Sequence, residues 1–329
     1  MVKIRNANYC NLKLFLTFTV VYGHLIEPKI WHSDELMFQY QLIYMMHMPM
    51  FCFLSGLFLS NPKACKAQLF RMLPLYVLSQ GIAVIFGNGE VEVLTPFWHL
   101  WYLLSYCTWL TLAWAWFCIC KGKGGFLILL GSITLGCAVG FVPSVGRQFS
   151  LSRTLVFFPY FWSGLICKPS VEWKKFRFAG ALALLTAVLV AFFAEDGISV
   201  TFLYHAGSYS NLNNGAVLRL VCYLLGTSFG LFLLTFCPTQ RFSFTKLGAN
   251  TTASYLLHAP IVLFIRNWDV PWQFYIIISF LILYVIYTLT LWHSRLYGIM
   301  SAGRGDGGWR PFKKFTKNMQ DRFIGFYYP

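Results

Sequence analysis

The run WQFYIIISFLILYVIYTLTLWH, Trp272 to His293, contains no Asp, Glu, Lys or Arg. A helix that crosses the hydrocarbon core of a bilayer needs about 20 consecutive, largely apolar residues, and this run supplies them. Nine comparable segments precede it, at roughly 10–27, 38–60, 69–87, 97–119, 125–143, 150–167, 177–195, 216–237 and 250–266. The pattern predicts an all-α integral membrane protein: a multi-pass bundle of about ten transmembrane helices. Composition agrees. Of 329 residues, 57% are apolar and 11% charged, and mean hydropathy is +0.59; an ordinary soluble domain carries about 25% charge. These values exclude a disordered chain, a coiled coil, a collagen-like fibre and a soluble globule with one core.

The loops give an independent test. If the N-terminus is inside, all but five of the 26 Lys and Arg residues fall on the cytoplasmic side, the five being Lys29, Arg147, Arg153, Arg219 and Arg266. Glu27, Asp34, Glu35, Glu90, Glu92, Glu195, Asp196 and Asp269 fall outside. This asymmetry predicts both termini in the cytoplasm. The net charge of +15 is then read as inner loops facing anionic lipid, with the bilayer and not nucleic acid as partner. The ten cysteines show no paired metal spacing, so few or no disulfides and no metal site are expected. Lys3 and Arg5 before an apolar run resemble a signal peptide, but Val21-Tyr22-Gly23-His24 is a poor cleavage site, and the segment is read as the first helix. Residues 1–295 form one transmembrane domain. Residues 296–329 form a basic, aromatic cytoplasmic tail, with Gly303, Gly305, Gly307 and Gly308 as a linker before Arg310, Phe312, Lys313, Lys314, Phe315 and Lys317. Gly136/Gly140 and Gly226/Gly230 are spaced for close helix packing.

Ionisable side chains inside a membrane are costly and point to function. Lys13 and His24 are almost three helical turns apart, so they share a face about 16 Å apart along the axis. Thr17 lies on that face, and Glu27, three residues beyond His24, is placed to orient the imidazole and raise its basicity. His47 sits in Met45-Met46-His47-Met48-Pro49-Met50, either as a polar residue facing the same cavity as His24 or as part of a soft site for Cu(I). Arg71, before Pro74, presents a guanidinium for phosphate or anchors its helix at the inner surface. His99 and Trp101 begin the fourth segment in the position of an aromatic belt. Arg153 and Arg219 stand out against the positive-inside bias. Tyr255 and His258 share a helix face. Membrane histidines with cations at both mouths fit an enzyme joining substrates from two sides, and equally a proton-coupled transporter.

Several pieces, taken in order, resemble the membrane-bound acyltransferase-3 family, and within it the fucose 4-O-acetylase-like branch. They are Lys13-x10-His24; Tyr44-Met45-Met46-His47-Met48-Pro49-Met50-Phe51 with Ser55-Gly56; Arg71-Met72-Leu73-Pro74-Leu75-Tyr76; and His99-Leu100-Trp101-Tyr102-Leu103. Arg153 with Phe157-Phe158-Pro159-Tyr160-Phe161-Trp162-Ser163-Gly164, and Ala253-Ser254-Tyr255-Leu256-Leu257-His258, complete the series. Lys13 stands where many members carry Arg, and Leu75 where a Pro-Tyr pair is common.

The resemblance implies an O-acyltransferase, most often an O-acetyltransferase, of a bacterial inner membrane. It would move an acetyl group from cytoplasmic acetyl-CoA, a co-substrate, to a hydroxyl of a cell-surface or lipid-linked glycan. His24 would act as general base or acyl carrier, with Glu27 and His47 beside it in catalysis. Lys13, Arg71, Trp101, Arg153, Tyr255 and His258 would bind substrates. The competing reading is a transporter or flippase of a lipid-linked sugar without acyl chemistry.

Overall fold

Asn61 and Pro62 show how this chain starts its helices. The Asn61 side chain accepts a hydrogen bond from the backbone N–H of Ala64 at 2.9 Å, and Pro62 fills the first helical position, where its missing N–H costs nothing. In the computed structural model this helix therefore begins seven residues before the apolar run at 69, because a polar first turn carrying Lys63 and Lys66 is helical without being apolar. The structure describes residues 7–86, 92–193, 198–209, 214–249 and 251–302. Lys3, Arg5, Glu90, Glu195, Asp196 and the tail from Gly303 onward lie outside the described residues.

Eleven α-helices and no strand occur among the described residues. They are α1 (Ala7–Ile26), α2 (Asp34–Leu57), α3 (Pro62–Phe86), α4 (Trp101–Ile119), α5 (Gly125–Ala138) and α6 (Leu151–Ile166), followed by α7 (Arg177–Phe193), α8 (Val200–Leu203), α9 (Gly215–Phe236), α10 (Thr251–Arg266) and α11 (Tyr275–Ala302). Each of the ten apolar segments coincides with a helix. The extra one, α8, lies in what the sequence presents as an outer loop. The last helix runs on to Ala302, past the expected end near 293, and no proline interrupts it. By length and composition, four described helices suffice to cross a membrane: Pro62–Phe86, Trp98–Ile119, Gly215–Phe236 and Trp272–Trp292. On α3, Phe70, Val77, Leu78, Ile82, Ile85 and Phe86 are all exposed, an apolar surface suited to lipid. The chain is a membrane protein.

It divides into two compact units, Met1–His32 with Cys237–Pro329, and Ser33–Phe236. The first packs α1 against α10, α11 and the 3-10 segment Ser243–Ala249. The Asn11 amide donates to the carbonyls of Pro238 and Gln240, both at 2.9 Å, and its oxygen accepts from the Thr245 hydroxyl at 2.6 Å. These bonds satisfy loop carbonyls that would otherwise stay unpaired.

In the second unit α2 packs on α6 and α9, α3 on α4, and α6 on α4 and α5. The core is aromatic, and its indoles are satisfied: Trp109 donates to the carbonyl of Thr154 at 2.9 Å, Trp162 to Gly125 at 2.8 Å. At the α2–α6 crossing the two backbones touch. A Cβ on Gly56 would lie 2.0 Å from the Phe161 oxygen, and one on Gly164 would lie 2.0 Å from the Phe53 oxygen. The spaced glycine pairs do something different. Gly136, Gly140 and Gly226 make room for the side chains of Tyr223, Tyr209 and Tyr160, and Gly230 for the Met50 sulfur. Met50 is therefore a packing residue, and all ten cysteines are free thiols.

Candidate active site

In the first unit, α1 ends at Ile26 and the chain turns into the 3-10 segment Glu27–His32, leaving Glu27 one turn beyond His24. The His24 Nδ1 and a Glu27 carboxylate oxygen are 3.7 Å apart, an ion-pair distance longer than a hydrogen bond. Helix α10 supplies what holds this carboxylate. Arg266, in its last turn, donates through Nη2 to Glu27 and to the backbone carbonyl of His24, and through Nε to that same carbonyl at 2.9 Å. Arg266 thus ties the carboxylate and the histidine backbone together, with Glu27 facing the His24 imidazole.

His258, also on α10, stacks on His24 with ring centres 5.5 Å apart and planes 15° from parallel. Its Nδ1 lies 2.9 Å from the Ser254 carbonyl, so Nδ1 carries the proton and Nε2 the lone pair. Tyr255 is 6.2 Å from the His258 ring. His258 is wholly buried, whereas the His24 side chain keeps 12% of its surface and Glu27 24%. Of the two stacked imidazoles, His24 is the one that keeps accessible surface. Lys13 is buried lower on α1, its carbonyl taken by the Thr17 hydroxyl at 2.7 Å. Lys13 and Arg241 both act on the Cys10 thiol, so two cations sit at this end of the unit. Lys29 secures the opposite end, donating to the Val270 carbonyl at 2.9 Å beside Asp269.

The second unit holds the remaining predicted residues. His47 is buried, with Nδ1 2.6 Å from the Ile43 carbonyl one turn earlier, which again fixes the proton on Nδ1. Tyr44 meets its ring edge-on at 4.8 Å, and Tyr204 lies 5.3 Å beyond Tyr44. The Arg153 guanidinium sits 5.0 Å from the centre of the Trp101 ring and donates through Nε to the Tyr204 carbonyl at 2.9 Å. Trp101 and Arg153 thus meet. Arg71 is half-buried on α3 and acts on Tyr106, which stacks with Tyr102 next to Trp101. His99 is buried, unlike a residue of an exposed aromatic belt.

A family model described as an acyltransferase domain matches residues 7–293. The chain belongs to the acyltransferase-3 family. No curated protein and no solved structure is a match to this chain.

Three features of this acyltransferase escape a reading of its sequence. Arg266 looks like a stray outer cation, yet it is the partner of Glu27; its departure from the positive-inside bias was the available signal. The turn after α8 is the second. His205 adopts a left-handed backbone (φ 52°), and its carbonyl accepts from Ser152 at 2.8 Å, next to the Arg153–Tyr204 bond, so α6 pins the turn twice. The third is the setting of Arg219, which the sequence marks only as an outer cation: it is 1% exposed and donates to the His205 imidazole and, at 3.3 Å, to the Tyr209 hydroxyl. Burial, with Arg219 and Arg153 beside it, holds the His205 pKa well below the usual imidazole range.

Proposed function

We propose that this membrane acyltransferase is an O-acetyltransferase that moves an acetyl group from cytoplasmic acetyl-CoA to a hydroxyl of a cell-surface or lipid-linked glycan. In this reading it spans a bacterial inner membrane about ten times, with both termini in the cytoplasm, and belongs to the fucose 4-O-acetylase-like branch of the family. One observation carries it: an imidazole that keeps accessible surface, His24, stands beside a carboxylate that Arg266 holds, with a second imidazole stacked behind it.

His24 is the general base. With Nδ1 towards Glu27, Nε2 takes the proton of the acceptor hydroxyl. The oxygen bonds to the acetyl carbonyl carbon, the carbon–sulfur bond breaks, and the proton passes from His24 to the departing thiolate. Glu27 favours the imidazolium in between, and Arg266 keeps Glu27 from swinging away. Lys13 and Arg241 in the first unit are cations suited to phosphates of the acetyl donor, and Arg71 in the second unit is a further guanidinium of that kind. His47, with its proton held on Nδ1 by the Ile43 carbonyl, is in the tautomer whose Nε2 is an acceptor and not a donor. That suits it to a sugar hydroxyl better than to polarising a carbonyl, which needs a donor.

The test uses the full chain in nanodiscs with acetyl-CoA labelled on the acetyl group. Release of CoA and transfer of label to a glycan pool are followed in the wild type, His24→Ala and His47→Ala, folded to the same extent. Label appears in glycan with the wild type and is lost in His24→Ala. Folded wild-type protein that releases no CoA and labels no glycan, across varied acceptors and donors, overturns the assignment and favours transport of a lipid-linked sugar.

A further inference from the structure

One end of the second unit gathers arginines without acids. Arg153 and Arg219 are contributed by α6 and α9, and Arg147 precedes α6, close enough to act on Arg153. None of the three forms an ion pair with a described carboxylate. Arg219 is sealed: it donates to His205 and Tyr209 and lies over the rings of Phe202 and Tyr209 at 4.8 and 5.6 Å. Arg153 is different. Its Nε is committed to the Tyr204 carbonyl, but Nη1 and Nη2 have no acceptor among the described residues, and neither is enclosed. Its guanidinium therefore presents a fork of N–H donors. Arg147 is exposed beside it. Like charges brought together at a partly buried place repel, and a fork of this geometry is matched by the two oxygens of a carboxylate or phosphate.

The surroundings add a second requirement. Trp101, under the guanidinium, and Tyr44 and Tyr204 are all half-buried. The Tyr204 hydroxyl is 3.1 Å from that of Tyr40, which fixes the Tyr204 ring, and Tyr44 packs on Tyr40 at 4.3 Å. Rings with an apolar face and a polar rim accept the C–H face of a sugar while bonding its hydroxyls. The two bonds from α6 to the turn at Tyr204 and His205 fix the backbone that carries the Tyr204 ring.

We propose that this cluster is the acceptor subsite and that the acceptor is anionic: a sugar carrying a carboxylate or phosphate, its oxygens on Arg153 with Arg147 alongside, and its ring against Trp101, Tyr44 and Tyr204. This rests on the glycan-acceptor reading and narrows it. The oxyanion has two possible sources, a uronate within the glycan or the phosphate of a lipid-linked sugar.

Binding to the full chain in nanodiscs is measured for three probes: an oligogalacturonide, its methyl ester, and a prenyl-pyrophosphate-linked monosaccharide. Binding of CoA is measured in parallel. At least one anionic probe binds about tenfold or more tightly than the neutral ester, with affinity falling as salt rises. Arg153→Gln removes that preference, Arg153→Lys keeps part of it, and Arg147→Gln weakens it in a folded protein. CoA affinity stays as in the wild type. Preference for the uronate or for the lipid-linked probe identifies the source. Equal binding of ester and anion overturns the proposal, as does a loss of CoA affinity in Arg153→Gln, which would place Arg153 on the donor. Anion-selective binding without acetyl transfer to any acceptor would keep the subsite and remove the transferase reading.

Discussion

Removing Arg266 leaves Glu27 three-quarters enclosed with only the His24 imidazole beside it. Arg266→Met is expected to cost about 1–3 kcal/mol, between the values for exposed and buried pairs. The check is thermal unfolding in detergent. Glu27→Gln in the Arg266→Met background restores part of that loss, because the uncompensated charge is gone. Activity gives a second readout: Arg266→Met lowers kcat. His205 gives a pH signature. Its folded pKa lies well below the ordinary value of about 6.5, so the unfolded chain binds a proton that the folded chain refuses. Stability is full above that value and falls as pH drops below it, by up to about 1.4 kcal/mol per unit. His205→Asn, which tolerates the left-handed backbone, should flatten the melting temperature between pH 6.5 and 5. An unchanged slope in this variant would mean that some other group titrates there.

At the scale of elements, the α2–α6 crossing is the feature least tolerant of change. A methyl at Gly56 or Gly164 meets backbone, which has no rotamer to give, and the helices must part. Gly56→Ala and Gly164→Ala should each cost about 1–3 kcal/mol or more and lower the folded yield on size exclusion. Gly230→Ala meets only the Met50 sulfur at 2.9 Å, the mobile end of a flexible side chain, and should be tolerated. The two glycine pairs spaced by four residues attract attention in the sequence, yet the touching backbones use one glycine from each helix. Spacing along one chain identifies a small surface. It does not say whether a backbone or a tyrosine fills it.

For the whole molecule, the ten-span reading makes a directional prediction from cysteines the chain already has. Cys118 and Cys120 are exposed at the α4–α5 turn, beside Lys121 and Lys123. The positive-inside pattern puts this turn in the cytoplasm. A membrane-impermeant maleimide should label both in inverted vesicles and neither in right-side-out vesicles, read by mass spectrometry. Labelling from the outside would mean that an odd number of spans, and not four, precedes them, or that the N-terminus lies outside. The cations that break the pattern are informative at this scale. Lys29, Arg266 and Arg219 each have a named internal partner, and Arg153 has one partner and two open nitrogens.

What the sequence by itself determined is the helical class, the ten segments and the family. Each follows from local quantities: a run of apolar side chains long enough for a bilayer, and short motifs whose residues are neighbours in the chain. The Lys13–His24 face and the Tyr255–His258 pair were legible for the same reason, since helical geometry fixes them over a few turns. Helix boundaries were less so, because polar capping turns such as Asn61–Lys66 are helical without being hydrophobic. Only the tertiary structure placed Arg266 on Glu27, His258 on His24, and Arg153 between Trp101 and Tyr204. Those partners lie tens to hundreds of residues apart, and which of many possible side chains meet is set by how the helices pack, a long-range property that no local pattern encodes.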